Sequence, residues 1–406
     1  MTYGPLRAMA TGLAMAFFFC SVLVAGVPEA IYLTWQEDPT STMVINWITN
    51  TDDDNNKLDY KANCIWSSGW ETVKGSHQIL PVNRSYQVHR VILEGLTPGT
   101  CYAFRLKTDP NQVYTFQTMP QKLDEPLRFV LGGDIYSSSL DEIGNRDQLY
   151  AEMNQLAASY DPFCAFLGGD LAYAGNDPAS FQYWLSWFKI WWQTMRGPSD
   201  RLIPMVTTLG NHDVEGAEGA DPSKLLYFAF FPVKATGRSY YKLRFGDEMT
   251  MLMLDSGIVN DIEGTQRSWL KDQLSKDRDR DHLFVMYHHP AYPSVRSING
   301  SQAKEIRKEW VPLFEKFGVD VAFENHDHAY KRTYPLIEGE RDERGVVYAG
   351  DGAWGVNPRT PNNGSLPYFV TTKGDRYFLV MELEGQERRF SAIDPSGAII
   401  DQWTMD

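Results

Sequence analysis

Basic residues are scarce in this sequence, and their scarcity restricts the partners that the protein can have. The chain has 38 Lys and Arg against 52 Asp and Glu, which gives a formal net charge of −14. Nucleic acids and anionic membranes are bound by basic surfaces, so we expect neither as a partner. An anionic substrate would have to be held by a local positive centre, such as bound metal ions.

Cysteine is also scarce, with four residues in the whole chain. Cys20 lies in an apolar N-terminal segment. Cys164 lies in a predicted buried strand, where we expect a small core hydrophobe. Cys64 and Cys101 fall in the same N-terminal region and could pair, but pairing depends on a geometry that the sequence does not supply.

Long apolar runs are missing except at the N-terminus, where Arg7 precedes an apolar stretch from Met9 to Ala25. With the small residues at Val24-Ala25-Gly26, this pattern predicts a secretory signal peptide over residues 1–26. The alternative is an uncleaved membrane anchor, because roughly 17 apolar residues is near the lower limit for a spanning helix. We expect cleavage, and hence a secreted, extracellular or periplasmic protein without membrane attachment.

The first part of the mature chain, residues 27–119, has the pattern of short alternating strands. The segment from Leu93 to Tyr102 resembles the corner before a late strand of fibronectin type III domains. We expect an all-β sandwich that serves as a structural or positioning module. A charged linker begins at Met119-Pro120. The predicted strands are Ile31 to Trp35, Met43 to Ile48, Tyr86 to Leu93, Cys101 to Leu106 and Val113 to Gln117.

Residues 124–406 alternate between strand and helix patterns, which indicates an α/β domain. Trp184, Trp187 and Trp191 lie at helical spacing and predict a buried aromatic face. Two further helices are expected, one with Leu149, Met153 and Leu156 on a single face and one from Ile306 to Phe317 that Gly318 ends. The predicted strands are Leu127 to Leu131, Phe163 to Leu167, Ile203 to Leu209, Met249 to Leu254, Leu283 to Tyr287, Val319 to Phe323, and the hairpin-like pair Tyr377 to Leu383 and Phe390 to Ile393.

Side chains that can bind metal ions follow several of these strands. One alone would be weak evidence, because a Gly-Asp pair is commonly a turn and a single histidine is commonly a core residue. Their repetition in one domain, mostly beside glycines that let the backbone turn sharply, indicates a shared site at the carboxyl ends of the strands. The residues are Asp134, Asp170 and Tyr173, Asn211 and His212, His288, and His326 and His328.

The donor types in this set restrict the metal. Carboxylate, amide and imidazole donors suit Fe, Mn and Zn, and no cysteine joins the set. A tyrosine binds as phenolate, which favours Fe(III). Two metal ions roughly 3.5–4 Å apart can clamp the attacking and leaving oxygens of a phosphoryl displacement.

The order of these motifs resembles a known family. Gly133-Asp134, Gly169 to Tyr173, Gly210 to Asp213, Val285 to His288 and His326-Asp327-His328 resemble the five motifs of purple acid phosphatases, which are calcineurin-like metallophosphoesterases. Larger members carry a fibronectin-like N-terminal domain, and the segment from Pro28 to Trp35 is similar to its usual beginning. The resemblance therefore covers the whole mature chain. It implies a catalytic domain of two packed β-sheets flanked by helices, with the metals at the strand ends.

The resemblance also implies a ligand set, with Asp170 as the bridge between two ions. The Fe(III) ligands would be Asp134, Asp170, Tyr173 and His328. The ligands of a divalent Zn, Mn or Fe ion would be Asp170, Asn211, His288 and His326.

The sequence departs from the family pattern in three places. Tyr136 follows Asp134 where the family usually has glycine, so it competes with Tyr173 as the phenolate ligand. Asn325 replaces the usual glycine before His326, a change that we expect to alter only the turn. The loop after His288 lacks the histidines with which plant members protonate the leaving group.

Two histidines are candidates for catalysis. His212, beside Asn211, would hydrogen-bond the phosphate or assist the leaving group. His289, beside His288, either serves as the general acid or merely packs next to the site. The general acid is thus left open.

The expected function is hydrolysis of phosphate monoesters by an acid phosphatase, through attack of a metal-bound hydroxide that forms because the ions lower the pKa of bound water. One alternative is a phosphodiesterase or nucleotide pyrophosphatase on the same metal core, and nucleotides would then be bound only as substrates. The other is a secreted binding protein without catalysis. The physiological substrate and the oligomeric state stay open.

Overall fold

The computed structural model describes residues 27–64, 69–137, 146–217, 219–233 and 237–406. The predicted signal peptide, residues 1–26, lies outside the described residues. No helix within the described ranges is long and apolar enough to cross a membrane.

The N-terminal domain is a sandwich of two antiparallel sheets with strand orders β1-β2-β6-β5 and β4-β3-β7-β8. Trp47, Leu58 and Phe104 are buried between the sheets. Three of the strands, β3 to β5, were not predicted. Of these, β4 and β5 are largely exposed and polar and therefore lack an apolar alternation. The strands are β1 Ala30–Thr34, β2 Met43–Asn50, β3 Lys57–Ala62, β4 Glu71–Lys74, β5 Ser76–Ile79, β6 Tyr86–Leu93, β7 Cys101–Leu106 and β8 Tyr114–Gln117.

A disulfide links the two cysteines whose pairing the sequence left open. Cys64 and Cys101 are bonded, with their Cα atoms 5.6 Å apart, and they enclose a loop with a sequence separation of 37. Cys164 is free and buried, as predicted.

The C-terminal domain contains a six-stranded and a seven-stranded mixed sheet. Their strand orders are β11-β10-β9-β21-β22-β23 and β12-β13-β14-β15-β19-β16-β20, and β17 and β18 form a small hairpin. The strands are β9 Leu127–Gly132, β10 Ala165–Leu167, β11 Met205–Thr207, β12 Tyr241–Phe245, β13 Met249–Met253, β14 His282–Met286, β15 Val321–Glu324, β16 Tyr330–Thr333, β17 Leu336–Ile337, β18 Glu340–Arg341, β19 Val347–Gly350, β20 Phe369–Lys373, β21 Phe378–Glu384, β22 Glu387–Ile393 and β23 Ile399–Met405.

Helices cover the outer faces of these two sheets. One apolar cluster, with Phe166, Phe284 and Phe323, lies between the sheets. A second joins the six-stranded sheet to α2 through Trp187, and a third joins the seven-stranded sheet to α6 through Phe314. The helices are α1 Arg146–Ala158, α2 Phe181–Thr194, α3 Leu226–Phe230, α4 Gly264–Asp277, α5 Ser301–Glu309 and α6 Val311–Phe317. The predicted fold class, a β-sandwich followed by an α/β metallophosphoesterase domain, is therefore confirmed.

One predicted helix is in fact two. The segment expected as a single helix up to Phe317 breaks at Trp310, because Pro312 at the start of α6 lacks the N–H that a continuous helix requires. The helix α6 ends at Gly318, whose φ of 70° is left-handed, as predicted. The buried face of α1 is also rotated relative to the prediction: it presents Tyr150 and Met153.

The two domains share a buried contact between β1 and the helices α2 and α3. The Tyr32 hydroxyl donates to the Phe230 carbonyl at 3.0 Å, and its ring lies 4.4 Å from that of Phe188. Arg90 on β6 donates to the Ala229 carbonyl at 2.9 Å. The sandwich therefore packs directly on the helical layer of the catalytic domain.

Candidate metal centre

The predicted ligands follow parallel strands of both C-terminal sheets. In the six-stranded sheet β9, β10 and β11 are parallel, and in the seven-stranded sheet β14, β15 and β19 are parallel. Carboxyl ends of parallel strands meet at one edge of a sheet, where α/β domains commonly bind ligands. In the six-stranded sheet, β9 is followed by Asp134, β10 by Asp170 and Tyr173, and β11 by Asn211. In the seven-stranded sheet, β14 is followed by His288, and β15 by His326 and His328.

Most of these ligand candidates have a backbone conformation that side chains disfavour. The φ angle is positive at Asp134 (56°), Asp170 (52°), Tyr173 (51°), His326 (77°) and His328 (58°). A non-glycine residue in this region costs about 1–3 kcal/mol, and such strain concentrates at functional sites. The surrounding packing and hydrogen bonds must therefore hold these loops in place.

One half of the centre is formed by Asp134, Tyr173 and His328. The Tyr173 hydroxyl lies 3.0 Å from Asp134 Oδ1 and 3.0 Å from His328 Nε2. His328 Nε2 and Asp134 Oδ1 are also 3.0 Å apart. Three donor atoms of different types thus converge on one point.

The other half is formed by Asp170, Asn211, His288 and His326. His288 Nε2 lies 3.3 Å from Asp170 Oδ2, 3.2 Å from Asn211 Oδ1 and 3.1 Å from His326 Nδ1. The ligand atoms of Asp170, His288 and His326 all lie within 4.8 Å of one another. The structure therefore brings all seven predicted ligands together in two adjoining clusters.

The hydrogen bonds of this second cluster fit a cation. His288 Nδ1 donates to the Gly168 carbonyl at 2.9 Å, which leaves Nε2 facing the ligand atoms of the neighbouring side chains. Asp170 Oδ2 is buried and has no hydrogen-bond partner among the described residues. Burial lowers the pKa of His288, but the charges of Asp170 and Asp134 outweigh it and raise that pKa to about 9. The cluster attracts positive charge, which a metal ion would supply in place of the proton.

Asp213 holds the loop that carries Asp170. Its carboxylate accepts hydrogen bonds from the backbone N–H groups of Asp170 at 2.9 Å, Leu171 at 2.8 Å and Gly210 at 2.8 Å. Burial, with the nearby charge of Asp170, raises the pKa of Asp213 to about 7. No role was predicted for Asp213, although its position in the same motif, directly after Asn211 and His212, was the available signal.

A buried ion-pair network supports the histidine loops, and sequence reasoning missed it. Lys331 on β16 pairs with Glu324 at the end of β15 and, at 3.0 Å, with Asp351 after β19. All three side chains are fully buried. The Asp351 carbonyl accepts the His328 N–H at 2.8 Å, so this network reaches a ligand candidate directly.

The two catalytic candidates have different surroundings. His212 is partly exposed, stacks on Tyr173 with ring centroids 4.6 Å apart, and directs Nδ1 at Glu215 Oε2 at 2.6 Å. His289 lies 4.2 Å from the ring of His326 and 3.1 Å from the Ser256 hydroxyl. Burial lowers the pKa of His289 to about 3. The geometry therefore favours packing for His289 and leaves His212 as the histidine that faces outward.

The two tyrosines that compete as phenolate ligand have different hydroxyl partners. The Tyr136 hydroxyl donates to Asp147 on α1, and its ring packs 5.5 Å from that of Tyr150. Tyr173 instead directs its hydroxyl into the ligand cluster. The geometry favours Tyr173 as the phenolate ligand.

We expected Asn325 to alter only the turn before His326, but its side chain also contacts the neighbouring strand ends. Its side chain donates to the Tyr287 carbonyl at 2.9 Å. A Cβ added at Gly133 would lie 2.5 Å from Asn325 Oδ1, and one added at Gly168 would overlap the same amide. The asparagine thus fills the space that these two glycines leave between the strand ends.

Two family models match the chain. The model of the purple acid phosphatase N-terminal domain matches residues 28–118, and the model of the calcineurin-like phosphoesterases matches residues 127–330.

The chain is also similar to curated proteins. An uncharacterised protein of Mycobacterium tuberculosis is 25% identical over 377 residues, in a match that covers 83% of this chain and 66% of that protein. This chain thus spans just under two thirds of that relative. Purple acid phosphatase 18 of Arabidopsis thaliana is 27% identical over 349 residues, covering 81% of this chain and 72% of that protein.

Solved structures share the fold. The purple acid phosphatase PPD1 from yellow lupin seeds has a TM-score of 0.75 at 16% identity, covering 92% of this chain and 73% of that chain. PhoD has a TM-score of 0.68 at 11% identity, covering 93% and 90%.

Proposed function

The chain belongs to the calcineurin-like phosphoesterases and carries the N-terminal domain of purple acid phosphatases, and on that premise we propose that it is an acid phosphatase that hydrolyses phosphate monoesters. The family implies a centre of two metal ions. The observation that carries the proposal is the convergence of seven donor side chains in two adjoining clusters, with Asp170 Oδ2 buried and without a hydrogen bond among the described residues.

The proposed ligand set follows the two clusters. Fe(III) would be held by the cluster of Asp134, Tyr173 and His328, and a divalent Zn, Mn or Fe ion by the cluster of Asn211, His288 and His326. Asp170 would belong to both sets as the bridge. When bound, the ions lower the pKa of a coordinated water and neutralise charge on the phosphoryl oxygens.

The residues of the chain supply orientation around that chemistry. Asp213 fixes the backbone of Asp170 through its hydrogen bonds to the loop. His212 is held through Nδ1 by Glu215, which leaves Nε2 available to a phosphoryl or leaving-group oxygen. Positioning and electrostatic stabilisation supply most of the rate acceleration in phosphoryl transfer.

We also propose that the protein is secreted. The bonded pair Cys64 and Cys101 supports this, because disulfides persist mainly in oxidising compartments. The apolar stretch before residue 27 supports it independently.

The variant Asp170→Ala tests the function and the bridging role together. Removing the bridge should abolish binding of at least one metal equivalent and lower turnover of p-nitrophenyl phosphate by at least about 100-fold, since oriented charge stabilisation of this kind contributes roughly that factor. Metal content is measured by mass spectrometry of the purified protein. Asp279→Ala, at an exposed position on the same domain, is the control. Full metal content and turnover in Asp170→Ala would refute the assignment.

The wild-type enzyme should turn over p-nitrophenyl phosphate faster than bis-p-nitrophenyl phosphate. The opposite ranking would replace the proposal with a phosphodiesterase. Stoichiometric metal without turnover of either ester would favour a binding protein.

A further inference from the structure

Two loops beside the metal centre are joined into one wall. The first follows β14 and contains Ser294 and Arg296, and the second follows β19 and contains Arg359, Asn362 and Asn363. The backbone N–H groups of Asn362 and Asn363 both donate to the Ser294 carbonyl at 2.9 Å, and the Asn363 amide donates to the Arg296 carbonyl at 2.6 Å. The wall thus carries two arginines, one on each loop.

Arg296 lies against the cluster that contains His326. Its guanidinium donates to the His326 carbonyl and, at 2.9 Å, to Asp327 Oδ1. The Asp327 carboxylate also accepts a hydrogen bond from the backbone N–H of Arg296 at 3.0 Å. The side chain is nevertheless 40% exposed.

Arg359 lies against the other cluster. The backbone N–H of Arg359 donates to the His328 carbonyl at 2.7 Å, and the Arg359 side chain is exposed. Among the described residues no carboxylate forms an ion pair with it, which is notable in a chain with a net charge of −14.

The scissile phosphoryl group of a monoester would be bound by the metal centre itself. A second phosphoryl group on the same substrate would extend outward, past His326 and His328, to the wall that carries the arginines. The planar guanidinium group of arginine binds phosphate with two parallel hydrogen bonds. We propose that Arg296 and Arg359 form a subsite for a second phosphoryl group, so that the preferred substrates carry two. This inference rests on the proposed phosphatase function.

The first experiment compares pyrophosphate with p-nitrophenyl phosphate, which carries a single anionic group. Arg359→Gln should lower kcat/KM for pyrophosphate by about 10-fold or more, the usual loss for a charge-assisted hydrogen bond, and for p-nitrophenyl phosphate by less than about 2-fold. Arg359→Lys should lose less for pyrophosphate than Arg359→Gln. Arg344→Gln, at an exposed arginine paired with Asp342, should change neither value.

The second experiment measures binding without turnover. Calorimetry gives the dissociation constants of methylenediphosphonate and methylphosphonate for the wild type, Arg359→Gln and Arg296→Lys. The diphosphonate should bind more tightly than the monophosphonate to the wild type, and both variants should reduce that difference. Arg296→Lys keeps a charge opposite the buried Asp327 while it removes the planar fork.

The outcomes separate the inference from the function on which it rests. Equal losses for both substrates, or no loss for pyrophosphate, would overturn the subsite. A wild type that hydrolyses p-nitrophenyl phosphate but binds both phosphonates equally would overturn it as well. A wild type without phosphatase turnover would refute the proposed function, and the phosphonate comparison would still decide whether the arginines bind a second phosphoryl group.

Discussion

Tyr173 and Tyr136 show how one local contact distinguishes two equivalent residues. Both follow strands of the same sheet, and both are close in sequence to a ligand candidate. Only the hydroxyl of Tyr173 lies 3.0 Å from both Asp134 and His328, whereas that of Tyr136 is bonded to Asp147. The sequence favoured Tyr173 of the two rivals but did not predict the contact that holds Tyr136, because the position of Asp147 on α1 cannot be read from the motif.

We predict that Tyr173→Phe removes the visible absorption band of an Fe(III)-phenolate. The reason is that phenylalanine lacks the oxygen that would bind the ion. The measurement is the absorption spectrum of purified, iron-loaded protein. Tyr136→Phe is the matched control and should keep the band. A band that persists in Tyr173→Phe and vanishes in Tyr136→Phe would reverse the assignment.

His89 on β6 makes the stability of the sandwich sensitive to acid. Its ring is buried and stacks on Trp47 at 4.9 Å. Burial, with the charge of His77, lowers the pKa of His89 from 6.5 to about 4. Between these two values the unfolded chain binds a proton that the native protein does not, so stability falls as the pH drops from about 6.5 towards 4.

We predict that His89→Gln weakens this acid sensitivity. The wild type should lose about 1–2 kcal/mol of unfolding free energy from this group between pH 7 and pH 5. His89→Gln is less stable at pH 7 but should show a smaller loss on acidification, measured by urea denaturation at both pH values. His77→Gln, an exposed neighbour, should retain most of the wild-type loss. An unchanged pH dependence in His89→Gln would contradict the assignment.

At the scale of elements, the local sequence pattern predicts well which side chains lie at the ends of the strands. An apolar run followed by glycine and a metal-binding side chain is visible within a few residues, so the ligand candidates were found. Lys331 was not found, because β16 is short and its charged side chain looks like a surface residue. Only the antiparallel pairing of β16 with β19, and the parallel pairing of β19 with β15, place Lys331 between Glu324 and Asp351.

We predict that Lys331→Met destabilises the protein by about 3–5 kcal/mol, because it leaves two buried carboxylates without their cation. It should also lower metal content, because Asp351 positions the His328 backbone. Chemical denaturation and metal analysis measure the two effects. Lys308→Met, at an exposed lysine, should change stability by less than about 0.5 kcal/mol. A loss below about 1 kcal/mol in Lys331→Met would refute the role of the network.

At the scale of the whole molecule, the order of domains was predictable and their contact was not. Alternating strands and the α/β pattern occupy separate stretches of sequence. The contact depends on Tyr32 and Arg90, which look like ordinary strand residues until the carbonyl groups of α3 are placed beside them. The disulfide was likewise not predictable from the sequence, since its geometry depends on the pairing of β3 with β7.

We predict that the double variant Cys64→Ser/Cys101→Ser loses about 2–4 kcal/mol of stability, the usual contribution of a disulfide that closes a loop of this length. Turnover at the metal centre should stay within about 2-fold, because both cysteines belong to the N-terminal sandwich. Thermal unfolding and phosphatase assays measure these values. Cys164→Ala removes a thiol without a cross-link and is the control. A large loss of turnover in the folded double variant would show that the sandwich takes part in catalysis.

The left-handed backbone at Asp134, Asp170, Tyr173, His326 and His328 has a consequence for metal selectivity. The cost of these conformations is incurred when the chain folds, so the ligands are already arranged before an ion arrives. A rigid cradle cannot expand to admit an ion that prefers more ligands at longer distances. We therefore expect discrimination against Ca²⁺, which takes six to eight oxygen ligands at 2.3–2.6 Å, to arise from the backbone as much as from the donor atoms.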